Sequence, residues 1–206
     1  REANPETGEV RDILEETEET FFNLNYRDWN WRVLWDTNEV LWYSQRDGVA
    51  QMYLYDLKSG QVKNPITSGV GPITGISKLD PATRTMWYMA AGKEKGQDPY
   101  FLHLYRIGLD GKNNVSLTPD NGTHSVQISP DGKYVVDTFS QPDVAPETVL
   151  RDGTTGALIM PLEKADISKL LATGWKPPMQ IKMTAADGKT DIYGMLFRPT
   201  NFDPSK

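Results

Sequence analysis

Four glycines constrain this chain more than anything else in it. Gly8, Gly60, Gly111 and Gly156 stand 52, 51 and 45 residues apart, each closing a polar turn between two short strand-like runs. The turns read Asn4-Pro5-Glu6-Thr7-Gly8, Asp56-Leu57-Lys58-Ser59-Gly60, Gly108-Leu109-Asp110-Gly111 and Asp152-Gly153-Thr154-Thr155-Gly156. Glycine reaches the positive φ of a hairpin turn without steric cost. Recurrence at a near-constant period demands one supersecondary unit used several times, and that requirement outranks any local propensity.

Other features keep the same phase. Ahead of the turns lie the strands Gln51-Met52-Tyr53-Leu54-Tyr55, Leu102-His103-Leu104-Tyr105-Arg106 and Thr148-Val149-Leu150-Arg151. Earlier in each unit comes a second turn followed by a strand, at residues 36–43, 80–88 and 129–136. Four short strands per unit predict an all-β fold, specifically a partial β-propeller of four-stranded antiparallel blades. The phase places the end of one blade at about residues 1–15, full blades at about 20–66 and 70–118, and a further one at about 122–162. Rings of this type hold about four to eight blades. Three to four blades in 1–162, with a ragged start, are therefore expected to be part of a larger ring.

Residues 163–178 break the pattern. Asp166 can cap a short helix in which Ile167, Leu170 and Leu171 share a face, Gly174 can end it, and Pro177-Pro178 reads as a linker. Beyond it, Met179–Thr184 alternates apolar and polar residues, Ala186-Asp187-Gly188-Lys189 turns, and Ile192–Phe197 returns. This hairpin, about 179–199, lies outside the repeat phase, so 179–206 is read as the opening of a second domain. The chain begins without an initiator methionine or an apolar leader core and stops soon after a strand pattern, and both ends are expected to continue.

Composition then removes whole classes of chemistry. Without cysteine there is no disulfide, thiolate nucleophile or cysteine-based zinc site, and two histidines, His103 and His124, argue against a histidine-rich metal centre. A net charge of −6 argues against nucleic-acid binding, which needs clustered Lys and Arg. No stretch approaches the ~20 apolar residues of a membrane span. Asp110-Gly111-Lys112 and Asp131-Gly132-Lys133 lack the spacing of a calcium loop, so no metal and no cofactor is expected. His103, alternating with Leu102 and Leu104, reads as a surface or inter-blade polar residue, and His124 as part of a turn. Trp29, Trp31, Trp35, Trp42 and Tyr43 read as packing between blades, and the acidic run Glu15–Glu19 as a solvated loop. Asn114-Val115-Ser116 and Asn121-Gly122-Thr123 match glycosylation sequons.

The chain resembles the dipeptidyl peptidase IV group of the prolyl oligopeptidase family. The resemblance is carried by the blade units, by Leu24-Asn25-Tyr26-Arg27, and above all by the tail. There Ala186-Asp187-Gly188-Lys189-Thr190, Ile192–Pro199 and Asn201-Phe202-Asp203-Pro204-Ser205-Lys206 are similar to the hairpin that opens the family's α/β-hydrolase domain. The resemblance implies the second half of an eight-bladed propeller, an extracytoplasmic protein (periplasmic or extracellular), and a parent serine exopeptidase releasing X-Pro or X-Ala dipeptides. It also implies that the chemistry lies elsewhere. No Gly-x-Ser-x-Gly elbow occurs, the nearest match being Gly75-Ile76-Ser77-Lys78-Leu79. The pairs Glu15-Glu16 and Glu18-Glu19 lack the surrounding pattern of the family's amino-terminus anchor. Only Tyr26 and Arg27 carry over: an aromatic-plus-arginine loop at the rim of the substrate pocket, where a ring can form an apolar wall and a guanidinium can hold a peptide carbonyl. A surface loop pair accounts for the same two residues.

The reading at this point is a non-catalytic propeller part, inactive alone, that walls and gates a peptide substrate's cavity. Its partners would be the rest of the ring and a hydrolase domain, and its cut edges would favour homo-association. A stand-alone propeller scaffold, or a carbohydrate-binding module using the tryptophans, remains the alternative.

Overall fold

The computed structural model describes residues 1–17, 19, 31–203 and 205. Among the described residues, sixteen strands pair only with sequence neighbours, and always antiparallel. A two-residue ladder, β1 (Glu2–Ala3) with β2 (Val10–Arg11), comes first. Three four-stranded meanders follow. The first blade contains β3 (Trp31–Leu34), β4 (Glu39–Ser44), β5 (Gln51–Asp56) and β6 (Val62–Pro65). The second contains β7 (Ile73–Asp80), β8 (Thr85–Ala91), β9 (Leu102–Gly108) and β10 (Val115–Ser116). The third contains β11 (Thr123–Ile128), β12 (Tyr134–Gln141), β13 (Val144–Asp152) and β14 (Leu158–Lys164). A helical turn α1 (Ser168–Leu171) leads to the hairpin β15 (Met179–Thr184) and β16 (Asp191–Leu196). The all-β, blade-wise architecture predicted from the repeat is therefore present.

The middle strands are buried because aromatic and β-branched residues suit a pleated surface covered on both faces. Leu41, Met52, Leu54, Ile73, Met86, Tyr88, Ile107 and Leu109 join the first and second blades in one apolar cluster. A smaller cluster of Trp87, Leu104, Leu117 and Val135 joins the second to the third.

The repeated glycines have a second duty besides their turn. Gly60, Gly111 and Gly156 all have positive φ. A Cβ on Gly111 would stand 2.8 Å from the Pro65 carbonyl oxygen, and one on Gly156 2.7 Å from the Leu117 backbone, in each case on the preceding blade. The first turn of each blade recurs in conformation but not in residue. Asn38, Arg84 and Gly132 occupy the left-handed position at φ 52°, 52° and 72°.

The β4–β5, β8–β9 and β12–β13 turns leave the sheets at one end, here called the upper end, beside the inter-blade connections 66–72 and 117–122. Lys93 Nζ donates to the Ser68 and Val70 carbonyls, both at 3.1 Å, and Gln141 Nε2 donates to the Asn121 carbonyl at 2.9 Å. The β15–β16 hairpin meets this same end. Gln180 Nε2 donates to Asp143 Oδ1 at 2.7 Å, and Tyr193 sits edge-on to Tyr100 with centroids 6.5 Å apart.

Several sequence expectations need correcting. Trp31 opens β3 and Trp35 a 3-10 turn, and both residues are exposed rather than packed between described blades. Trp29 lies outside the described residues. The helix is a single turn; Asp166 Oδ1 accepts from the Ser168 amide at 2.8 Å, yet Leu170 and Leu171 remain exposed. Four residues with no buried face cannot hold a longer helix in water.

Candidate functional site

The upper end of the first blade carries a group of polar and aromatic side chains built on the β4–β5 turn. Gly48 closes that turn at φ 76°, its amide donating to the Gln45 carbonyl at 2.7 Å. This puts Arg46 and Asp47 above the outward rings of β5. The Arg46 guanidinium lies 4.5 Å from the Tyr53 ring centroid and 5.5 Å from that of Tyr55, and it donates to the Tyr55 hydroxyl. Its Nε donates to Ser44 Oγ at 2.8 Å. Cation–π contact and a fixed donor fork make such an arginine rigid.

Glu16 completes the group from an unexpected direction. Its carboxylate accepts from Trp42 Nε1 and Ser44 Oγ and lies 3.6 Å from the guanidinium, with only 7% of its side chain exposed. The acidic run is thus not wholly a solvated loop: Glu16 is a buried anchor, because a carboxylate beside an indole N–H and an arginine is better satisfied than in an open turn. Asp47 accepts from the Tyr53 hydroxyl. Burial first, and then this carboxylate, push the Tyr53 phenol up to about 12. Tyr53 therefore stays a neutral donor at any physiological pH.

At the upper end of the second and third blades a cleft of about 420 Å³ faces the hairpin, lined by Gln97, Asn121, Gln141, Gln180 and Tyr193 among others. Such carboxamides and phenols can bind and orient a polar ligand. Among the described residues no group of three or more acidic or histidine side chains is placed to hold a metal ion.

The two sequence-predicted site residues, Tyr26 and Arg27, lie outside the described residues. Glu16 is bonded to the first blade ten residues before Tyr26 in the chain. Sequence reasoning missed Arg46; the usable signal was the alternating Tyr53 and Tyr55 facing a short turn that carries a cation. Of the two alternatives read for His103 the inter-blade one holds, whereas His124 was misplaced. His103 is fully buried between blades, and His124 belongs to β11 rather than to a turn, bonded to Asp137. Neither is on the surface.

Four-stranded meanders stacked face to face, with Gly111 and Gly156 each pressed on the preceding blade, define a β-propeller. The comparisons agree. The family model "Dipeptidyl peptidase IV (DPP IV) N-terminal region" matches residues 2–146. The crystal structure of Porphyromonas gingivalis dipeptidyl peptidase 4 superposes with a TM-score of 0.65 at 22% identity, covering 86% of this chain and 24% of that one. A putative dipeptidyl aminopeptidase IV from Bacteroides ovatus gives a TM-score of 0.65 at 21% identity, covering 84% and 26%. The chain belongs to the dipeptidyl peptidase IV N-terminal region family. It spans about a quarter of the length of the solved structures it matches.

Proposed function

We propose that this chain is the non-catalytic propeller part of a serine exopeptidase of the dipeptidyl peptidase IV type, and that its upper end walls and gates the substrate cavity. The observation that carries the reading is the docking of the 179–196 hairpin on the end that presents Arg46, Tyr53 and the Gln97–Gln141 cleft. In this reading residues 1–162 are propeller, 163–178 a helix and linker, and 179–206 the first strands of an α/β-hydrolase domain. The hydrolase domain supplies the serine, histidine and aspartate for acyl transfer to water, releasing N-terminal X-Pro or X-Ala dipeptides. The propeller supplies no reacting group. It admits a peptide, excludes folded proteins and offers rigid donors to the peptide's carbonyls.

Tyr26 and Arg27 take their place at the rim of that cavity, with Glu16 tethering the chain that leads to them. The extracytoplasmic location expected from the resemblance belongs to the same reading. Among the described residues, no helix is long and apolar enough to cross a membrane.

The test is kinetic and uses the whole enzyme. Arg27→Ala is expected to raise KM mainly for substrates extended beyond a dipeptide and its leaving group, with kcat little changed, because a rim contact binds ground state and transition state alike. Unchanged kinetics across a length series would remove Arg27 from the site. An enzyme without X-Pro or X-Ala release from any peptide would remove the reading itself.

A further inference from the structure

The second and third blades meet through charge as well as apolar contact. His103 and His124, the only histidines in the chain, stand there with ring centroids 4.8 Å apart. Their surroundings are asymmetric. His124 Nδ1 lies 2.8 Å from Asp137 Oδ1, and its Nε2 lies 3.0 Å from the Asp120 carbonyl oxygen. Both neighbours are acceptors only, so the protonated ring is the one form that satisfies both. His103 Nδ1 lies 2.6 Å from the Thr118 carbonyl and must donate to it, while its Nε2 is buried without a partner. An orphaned buried ring nitrogen is uncommon and asks for an explanation.

Charge around the pair closes on itself. Asp137 is fully buried and also accepts from Arg151 Nε at 2.8 Å, and Arg151 donates to Asp120 Oδ2 as well. With His124 protonated, two cations face two carboxylates. The remaining neighbours are the Phe139 ring, stacked on His124 at 5.3 Å, and the more distant Glu94 carboxylate, which accepts from Tyr105 and Ser116. A second imidazolium at His103 would break the balance, and its new Nε2–H would have no acceptor.

The first blade offers an internal control. Gln51 holds the place on β5 that His103 holds on β9: Met52 and Leu104 amides, one residue on, donate to Thr67 and Thr118 hydroxyls at 3.0 and 2.8 Å. Gln51 is fully satisfied, donating to the Gly69 and Gly71 carbonyls and accepting from Thr67 Oγ1. The same buried slot is thus filled once by a group that cannot titrate and once by a group that can.

We propose that the joint between the second and third blades is a proton-sensitive clasp, closed while His103 is neutral, and loosened at the upper end when His103 takes up a proton. Desolvation holds His103 below its ordinary value of 6.5, and the nearby His124 pushes the same way; the Thr118 carbonyl, Glu94 and Asp137 offset this only in part. The sign follows. A histidine whose folded value lies below its unfolded one contributes stability above about pH 6.5 that is lost as pH falls from there through the folded value. The clasp lies under the 117–122 connection, so its opening reaches the cleft beside the hairpin.

Nitrogen-15 NMR of the two imidazoles, in the chain as it stands, reads the protonation states directly. At pH 7.5 the His103 ring is expected neutral with its proton on Nδ1, and a His103→Gln variant, which removes its signals, assigns it. In thermal melts, wild type should lose roughly 3–5 °C per pH unit on acidification below about pH 6.5, the slope of one proton in a chain of this size. His103→Gln, which copies the first blade, should flatten that slope. A charged His103 at pH 7.5, a proton on its Nε2, or an equally steep acid loss in His103→Gln would each overturn the clasp. Should the variant fail to fold, the wild-type ring nitrogens decide alone.

Discussion

The two joints between consecutive blades solve the same packing problem with different materials. The joint between the first and second blades is apolar through its middle, with Leu41, Met52, Leu54, Met86 and Tyr88 fully buried. Its one charged cluster lies at the lower rim, where Glu39 accepts from Arg84 Nη1 at 2.7 Å, from Lys63 and from Thr37. The joint between the second and third blades has a smaller apolar cluster and sets His124, Asp137 and Arg151 inside it. Apolar burial is insensitive to pH, whereas a buried charge network is only as stable as its protonation state. One joint should hold across a wide pH range and the other should respond to it.

The largest expected effects fall on the polar joint. Arg151→Ala strands the buried Asp137 beside His124 and leaves Asp120 without its partner, at a cost of about 3–5 kcal/mol. Urea unfolding at pH 7.5 measures it; a loss under ~1 kcal/mol would mean the network is not held as described. Leu54→Ala, which opens a cavity in the apolar joint, should cost about 2–5 kcal/mol and do so equally at pH 5 and pH 8. A strongly pH-dependent cost there would erase the contrast between the joints.

Glu39 gives a smaller, acid-range effect. Burial alone would raise its carboxyl, but hydrogen bonds from Arg84, Lys63 and Thr37 outweigh it and hold it at about 2. Its contribution is therefore present above about pH 4.5 and lost as pH falls from there toward 2. Glu39→Gln should remove about 1–2 kcal/mol at pH 7, discounted because Lys63 and Arg84 are themselves more than a third exposed. The difference from wild type should shrink below pH 3. A constant difference down to pH 2 would contradict the assignment.

The glycines supply the finest comparison. Gly111→Ala meets both a left-handed backbone and the Pro65 carbonyl, whereas Gly8→Ala, at φ 73°, meets open space. The second should cost about 1 kcal/mol and the first distinctly more. Equal costs by thermal melts would mean that the blade-to-blade approach does not constrain Gly111.

What could be read from the sequence and what could not follow the same physics. The glycine spacing was legible because two requirements, positive φ and close approach, act on one residue. The first turn of each blade was harder to align, since its left-handed position is tolerated by Asn38 and even by Arg84, whose side chain then reaches Glu39. The surface alternative for His103 and the solvated-loop reading of Glu16 fail in the same way. Polarity predicts exposure only where no partner waits, and their partners (Thr118 for one, Trp42 and Ser44 for the other) come from elsewhere in the chain. The upper-end cleft needs the hairpin and two blades together, a juxtaposition that no local pattern encodes. Tyr26 and Arg27, drawn from family resemblance, remain a proposal to be tested by substrate length.

The central claim is that this propeller shapes access while the reaction belongs to a hydrolase domain. Hydrolysis of a Gly-Pro chromogenic reporter tests it most directly, comparing this chain with the whole enzyme proposed to contain it. The account predicts turnover by the whole enzyme, abolished by replacing its nucleophilic serine, and none by the chain alone. Reporter cleavage by the purified chain, or an intact enzyme indifferent to Gly-Pro substrates, would contradict it.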